Sequence, residues 1–255
     1  MNYQTAISFG LVNIPVLMNS AIKDNNISFN MLHKKCGERL EYIRYCPHCK
    51  KEVKNSEIEK GFEFRKDEYI TLTSEDFDKL KSENDKVLEI IAFVNINEID
   101  PVYYEKSYTL TPLKSTKAFN LFKEALRKSK KVAIAKTIMR NKEYYVSIRF
   151  GYENIIMDTL YYEEEIKMQK EKTKNEVDSK ELATSIKLID AMSDKFTPEK
   201  YKDEYQTRLR NAIDKKVKGK SITKYKGKKR TKTVNDLMKA LEESLNEKTN
   251  KKWVS

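Results

Sequence analysis

Four soft donor side chains stand near the start of the chain, His33 with Cys36 and Cys46 with Cys49. Within each pair two residues intervene, so one tight turn can offer two ligands to the same ion, and Gly37 and Pro47 help the chain reverse there. Three thiols and one imidazole complete a tetrahedral set for zinc. A zinc with four protein ligands keeps no open position, so its role would be structural. His48 is the rival fourth ligand, although its place inside the Cys46/Cys49 turn disfavours it. The competing reading makes these thiols ordinary strand-edge residues with no metal.

Other constellations are sparse. The 2 histidines of the chain both lie beside this cluster, which leaves none for a Ser-His pair, and no His-Glu-x-x-His occurs. Gly219-Lys220-Ser221 ends like a phosphate-binding loop, but Asp214 stands where the first glycine belongs and no strand precedes it. We expect no catalytic residues. An odd cysteine count argues against a disulfide framework and for a reducing cytosol. The first residues lack a basic lead, Ser8, Gly10 and Asn13 interrupt their apolar run, and no stretch approaches the roughly 20 apolar residues a bilayer requires. The expectation is a cytoplasmic protein without a membrane partner.

Charge points to phosphate. Lys and Arg number 51 against 39 Asp and Glu, a net charge of +12, and residues 215–232 alone hold ten bases and no acid. That tail would bind nucleic acid without selectivity, through Lys215, Lys216, Lys218, Lys220, Lys228, Lys229 and Arg230. The remainder is nearly neutral, so it attracts phosphate only if its charges are segregated. A second basic set runs through Arg127, Lys128, Lys130 and Lys131, then Lys136, Arg140, Lys142 and Arg149. The dipole of a preceding helix explains lysines at its end equally well. Arg140 and Lys142, beside a hairpin turn, are therefore the stronger candidates. No recognition helix with a bidentate Arg or Asn is evident, so binding should be indifferent to base sequence.

The elements that must carry these residues are mostly strands. Ile27, Phe29 and Met31; Leu40, Tyr42 and the neighbouring Tyr45; Val132, Ile134, Lys136 and Ile138; and Tyr145, Ser147 and Arg149 alternate as half-buried strands do. Asn141-Lys142 and Gly151 to Asn154 supply turns between such runs. Helices are predicted over 74–81 and 115–128, the second with Ala118, Leu121, Phe122, Ala125 and Leu126 on one face. After a charged linker over 163–177, Asp178 and Glu181 have the shape of a capping box, and Leu182, Ile186 and Ile189 follow as a stripe. Thr197-Pro198 reads as another helix start, with Tyr201, Tyr205 and Leu209 at intervals of four. Val234, Leu237, Met238, Leu241 and Leu245 would form a last short amphipathic helix. These patterns divide the chain into a strand-rich core over 1–177, a helical region over 178–213 and a basic tail over 214–255. The fold class is mainly β with helices, α+β.

Several motifs in fixed order resemble the core of the bacterial Ku family, which binds DNA ends in non-homologous end joining. They are AISFGLVNIPV at 6–16, LHKKCG at 32–37, CPHC at 46–49, FVNINEIDP at 93–101, KVAIAKTIMR at 131–140 and LIDAMSDKFTPEKYKDEY at 188–205. The resemblance implies a β-barrel core, a homodimeric ring around double-stranded DNA ends, and recruitment of an ATP-dependent end-joining DNA ligase. It also makes residues 28–66 the arm that passes over the duplex. Those 39 residues, used as two strands of about 18, would reach roughly 60 Å. The arm holds ten bases against six Glu. Lys34, Lys35, Arg39, Arg44, Lys50 and Lys51 are its candidate phosphate contacts, and zinc would brace it. The helix with Tyr201, Tyr205 and Leu209 lies where the family meets its ligase. Two rival readings are a zinc-ribbon module on continuous DNA or RNA, and an abasic-site lyase with a lysine nucleophile.

Overall fold

The computed structural model describes residues 3–80, 87–113, 116–169, 178–225 and 241–246. It divides into two compact units, residues 1–168 and 169–255.

The first unit is built on a closed barrel of seven strands: β1 (Tyr3–Phe9), β2 (Val12–Ser20), β7 (Val87–Asn95), β8 (Tyr104–Pro112), β9 (Lys131–Met139), β10 (Lys142–Gly151) and β11 (Asn154–Leu160). Around the barrel they run β1-β2-β8-β11-β10-β9-β7, and closure comes where β7 lies parallel to β1. All other neighbours are antiparallel. Three hairpin turns of two residues set the registers. Gly10 opens the first with φ +57°, Arg140 and Asn141 form the second at +54° and +65°, and Tyr152 and Glu153 form the third at +49° and +58°. Two successive left-handed residues twist a hairpin the way its strands already twist. The second turn therefore sits one residue earlier than Asn141-Lys142.

Period-two alternation sends Ile7, Ile14, Val16, Leu110, Val146, Ile148, Ile155 and Met157 into one buried cluster. Each such side chain contributes about 1.5–3 kcal/mol by leaving water. On β9 the alternation is real, but the inner row is Ala133 and Ala135, with Ile134 and Lys136 half-buried on the other face. Small residues make room for α2 (Thr116–Ser129), which adds Phe119, Phe122 and Leu126 to the same core. Leu121, expected on that face, is 72% exposed, and Phe119 takes the inward position.

Residues 21–80 leave the barrel after β2 and return before β7. They carry β3 (Tyr45–Cys46) paired with β4 (Lys51–Glu52), β5 (Lys60–Arg65) paired with β6 (Glu68–Leu72), and α1 (Ser74–Lys79). Thr73 caps α1, accepting from the Asp76 N–H. The alternation at Ile27, Phe29 and Met31 does not become a strand. Only an isolated bridge joins Leu32 to Arg39. A strand needs a partner on its edge, and none of the described residues supplies one there.

The second unit holds α3 (Ser179–Met192), capped by Asp178, and α4 (Glu204–Val217), capped by Asp203. Thr197-Pro198 starts only a single 3-10 turn ending at Lys200, so Tyr201 precedes α4 and does not share its face with Tyr205 and Leu209. α4 also continues past 213, which places Lys215 and Lys216 in its last turn. Residues 241–246 are helical, while Val234, Leu237 and Met238 lie outside the described residues. No helix among the described residues is long and apolar enough to cross a membrane.

Candidate nucleic-acid interface

Four cations of the second basic set, Arg127, Lys136, Lys142 and Arg149, are paired with carboxylates, while Lys131 donates to the neutral amide of Asn95. Lys136 meets Glu143 at 2.8 Å, Lys142 meets Glu165 at 3.0 Å and Arg127 meets Glu124 at 2.7 Å. Hydrogen bonds donated to Glu143 and Glu165 hold Lys136 and Lys142 above the ordinary lysine range. Lys142 also stands over the Tyr144 ring at 5.2 Å. Its charge is thus shared with Glu165, in a pair whose side chains are both partly exposed. Arg149 is committed further still. It donates through Nε to Asp158 at 2.8 Å, and Asp158, a wholly buried carboxylate, also accepts from Ser107 at 2.6 Å and Ser147 at 3.4 Å. Four strand residues from β8, β10 and β11 thereby close one internal network, which is structural. Arg140 differs: it is exposed at its turn and has no ionic partner among the described residues.

Arm cations are mostly unpaired. Lys34, Lys35 and Arg39 are exposed around the Leu32–Arg39 bridge, and Lys50 sits in a tight turn with φ +52°. None of these four has an ionic partner among the described residues. Arg44 donates to the neutral amide of Asn55, so its charge is uncompensated. Lys51 approaches Glu57 at 3.8 Å with both side chains well exposed, a contact worth little in water. The arm also leaves Phe29, Leu32, Tyr42 and Ile43 in solvent, Tyr42 at 81% exposure. Sequence alternation had Phe29 and Tyr42 half-buried. The bare apolar rows are the feature that the sequence reading missed, and the signal for them was an arm with little core of its own.

The soft donors come together as two pairs. His33 Nδ1 lies 2.9 Å from Cys36 Sγ, and the Cys49 N–H points at Cys46 Sγ from 3.4 Å. The Cys49 backbone, then its thiol, hold Cys46 below the usual thiol range, while hydrogen bonding to Cys46 pushes Cys49 up. His48 Nδ1 is 3.9 Å from Cys49 Sγ. Among the described residues no group of three or more His, Cys, Asp or Glu is gathered closely enough to hold a metal ion. The donor chemistry suits zinc, but the two half-sites are not closed into a tetrahedron.

In the tail, Lys215, Lys216, Lys218 and Lys220 are exposed at the end of α4. Lys228, Lys229 and Arg230 lie outside the described residues. Tyr201 stacks on Phe196 at 5.3 Å, Tyr205 is exposed and Leu209 is half-buried.

A closed barrel interrupted by a long, charged arm has a counterpart among known proteins: residues 8–184 match the family model described as the Ku70/Ku80 beta-barrel domain. The chain belongs to the Ku family. Curated relatives carry the name non-homologous end joining protein Ku. The one from Lachnoclostridium phytofermentans is 42% identical over 244 residues, covering 95% of each chain. That from Bacillus subtilis is 38% identical over 252 residues, 95% of this chain and 80% of its own. The Archaeoglobus fulgidus relative is 36% identical over 243 residues, 93% and 96% respectively. In this Ku chain the match takes in both the barrel and the arm that runs between β2 and β7.

Proposed function

We propose that this Ku protein binds ends of double-stranded DNA irrespective of sequence, as a homodimeric ring, and recruits an ATP-dependent end-joining ligase to breaks in cytoplasmic, nucleoid DNA. One observation carries the reading: the arm combines uncompensated cations with apolar rows that its own chain leaves bare. The cations suit phosphate, and the bare rows suit a second protomer. One arm spans part of a duplex, and two would enclose it. Affinity then comes from phosphates and selectivity for ends from topology, so no catalytic step is required of the protein. A zinc held by His33, Cys36, Cys46 and Cys49 belongs to this proposal only as a brace drawing the two half-sites together.

The test is competition. A ring cannot mount a covalently closed duplex sideways, so closed circles should displace labelled linear DNA poorly at moderate salt, where coating by the basic tail is suppressed. Equal competition by circles at every salt concentration would replace the ring with a module lying on continuous nucleic acid.

A further inference from the structure

α4 ends in a way that builds a groove. Gly219, at φ +70°, donates to the Lys216 carbonyl at 3.0 Å, and Lys220 donates to the Lys215 carbonyl at 2.8 Å. This pair of bonds is the Schellman ending, and it reverses the chain at a residue where only glycine is unstrained. It also explains the glycine of Gly219-Lys220-Ser221 without any phosphate loop. Residues 222–225 return along the helix, and the Arg208 guanidinium lies over the Tyr225 ring at 4.4 Å, pinning the return. The helix and the returning segment enclose about 730 Å³.

Leu209, Ala212 and Ile222 form the apolar part of this groove, and Tyr205 and Tyr225 add aromatic walls. Lys215 and Lys224 also line it, neither with an ionic partner among the described residues, and no acidic side chain does. An aliphatic lining with cationic neighbours favours a peptide over nucleic acid. Nucleotides need cations and aromatic rings but gain nothing from Leu209 or Ile222, whereas a large apolar peptide side chain fills such a pocket while flanking carboxylates meet the lysines.

We propose that this groove docks an acidic segment of a protein partner through one large apolar anchor. The inference rests on the reading of the second unit as the ligase-recruiting region and adds the chemistry of the docking segment.

The probe is a fluorescein-labelled synthetic peptide of Asp and Glu around a central Leu-Phe, titrated into the full-length protein at physiological salt. Replacing Leu-Phe by Ser-Ser at unchanged charge should weaken binding about tenfold, as should Lys224→Glu. Ala212→Glu places a carboxylate in the groove on a half-exposed helix face and should abolish binding with helicity and DNA-end affinity kept. Ile222→Ser, which introduces no charge, should weaken binding by a similar factor if the anchor enters here. Equal binding of the Ser-Ser peptide would overturn the proposal, because it would reduce the interaction to attraction by the basic tail. So would conversion of a dimer to monomers by Ala212→Glu, which would make the groove a contact between copies. So would displacement of the peptide by a single-stranded oligonucleotide whose own binding Ala212→Glu abolishes. Anchor-dependent peptide binding without stimulation of a cognate ligase would sink the ligase reading alone and leave the groove's specificity standing.

Discussion

In the barrel, Lys136, Lys142 and Arg149 each meet a carboxylate, and the inward-facing apolar side chains of the strands lie in one cluster. In the arm, Lys34, Lys35 and Arg39 meet none, and Phe29 and Tyr42 face water. The two regions share one compact unit but answer to different constraints. The barrel satisfies its inward-facing apolar groups and its buried carboxylate network within the chain, which is what stability requires. The arm leaves both kinds unsatisfied, which costs stability unless other molecules complete it. A change in the barrel should therefore be read out as folding, and a change in the arm as binding.

The largest effect should fall on the barrel. Arg149→Leu leaves the Asp158 carboxylate buried with only two serine hydroxyls, and breaking such a pair on one side costs about 3–5 kcal/mol. We expect the urea midpoint to fall accordingly, with the DNA affinity of the molecules that remain folded unchanged. A variant that keeps its midpoint but loses DNA would move Arg149 from the scaffold to the interface and blur the comparison.

Next comes the arm. Lys34→Ala, Lys35→Ala and Arg39→Ala together should leave thermal stability near wild type while flattening the dependence of log K on log salt by about 0.9 per lost phosphate contact. Lys136→Ala with Lys142→Ala is the matched control, because those charges are already shared with Glu143 and Glu165. If the control flattens the slope as much as the triple variant, pairing in the free protein does not predict which cations reach DNA.

Metal removal should act on the arm only. Denatured protein is expected to release about one zinc per chain, Cys46→Ser much less, and chelation should raise hydrogen exchange in residues 30–55 while sparing β7 to β11. Metal-free protein with wild-type end binding would mean that the two half-sites stay apart in solution, as their geometry here has them. Retention of zinc by His33→Ala but not by His48→Ala would reassign the fourth ligand.

The same contrast explains what could be read from the sequence. Strand alternation and turn chemistry are local, so the β9–β10 and β10–β11 hairpins and the span of α2 were legible to within a residue or two. Which face of a strand or helix turns inward depends on what packs against it, which is why Leu121 and the alanine row of β9 were misplaced. Lys142 looked available because its partner, Glu165, lies 23 residues away in sequence. The x-x spacing brought together each soft-donor pair but said nothing about the distance between pairs. The helix start read at Thr197-Pro198 yields only a 3-10 turn, because Asp203 caps α4 further on, accepting from the Gln206 N–H at 2.8 Å. In the arm, alternation failed because no sheet among the described residues packs against its apolar rows.

The smallest expected effect tests the boundary between the two regions, at a barrel cation that behaves like an arm cation. Arg140 occupies a left-handed position, φ +54°, that costs a non-glycine residue about 1 kcal/mol. Asn141 tolerates the same conformation through its short polar side chain, and an arginine has no such excuse. Arg140→Gly should relieve the strain but add freedom to the unfolded chain, for a net gain of about 0.5 kcal/mol. Glu153→Gly, at φ +58° in the next hairpin turn, should give a similar gain and serves as the control. If Arg140 is held in strain for the sake of its charge, Arg140→Gly should raise the melting temperature slightly and also weaken binding to linear duplex, while Glu153→Gly raises stability alone. Matching gains with DNA affinity untouched in both would return Arg140 to the scaffold and leave the arm and tail as the whole of the phosphate-binding surface.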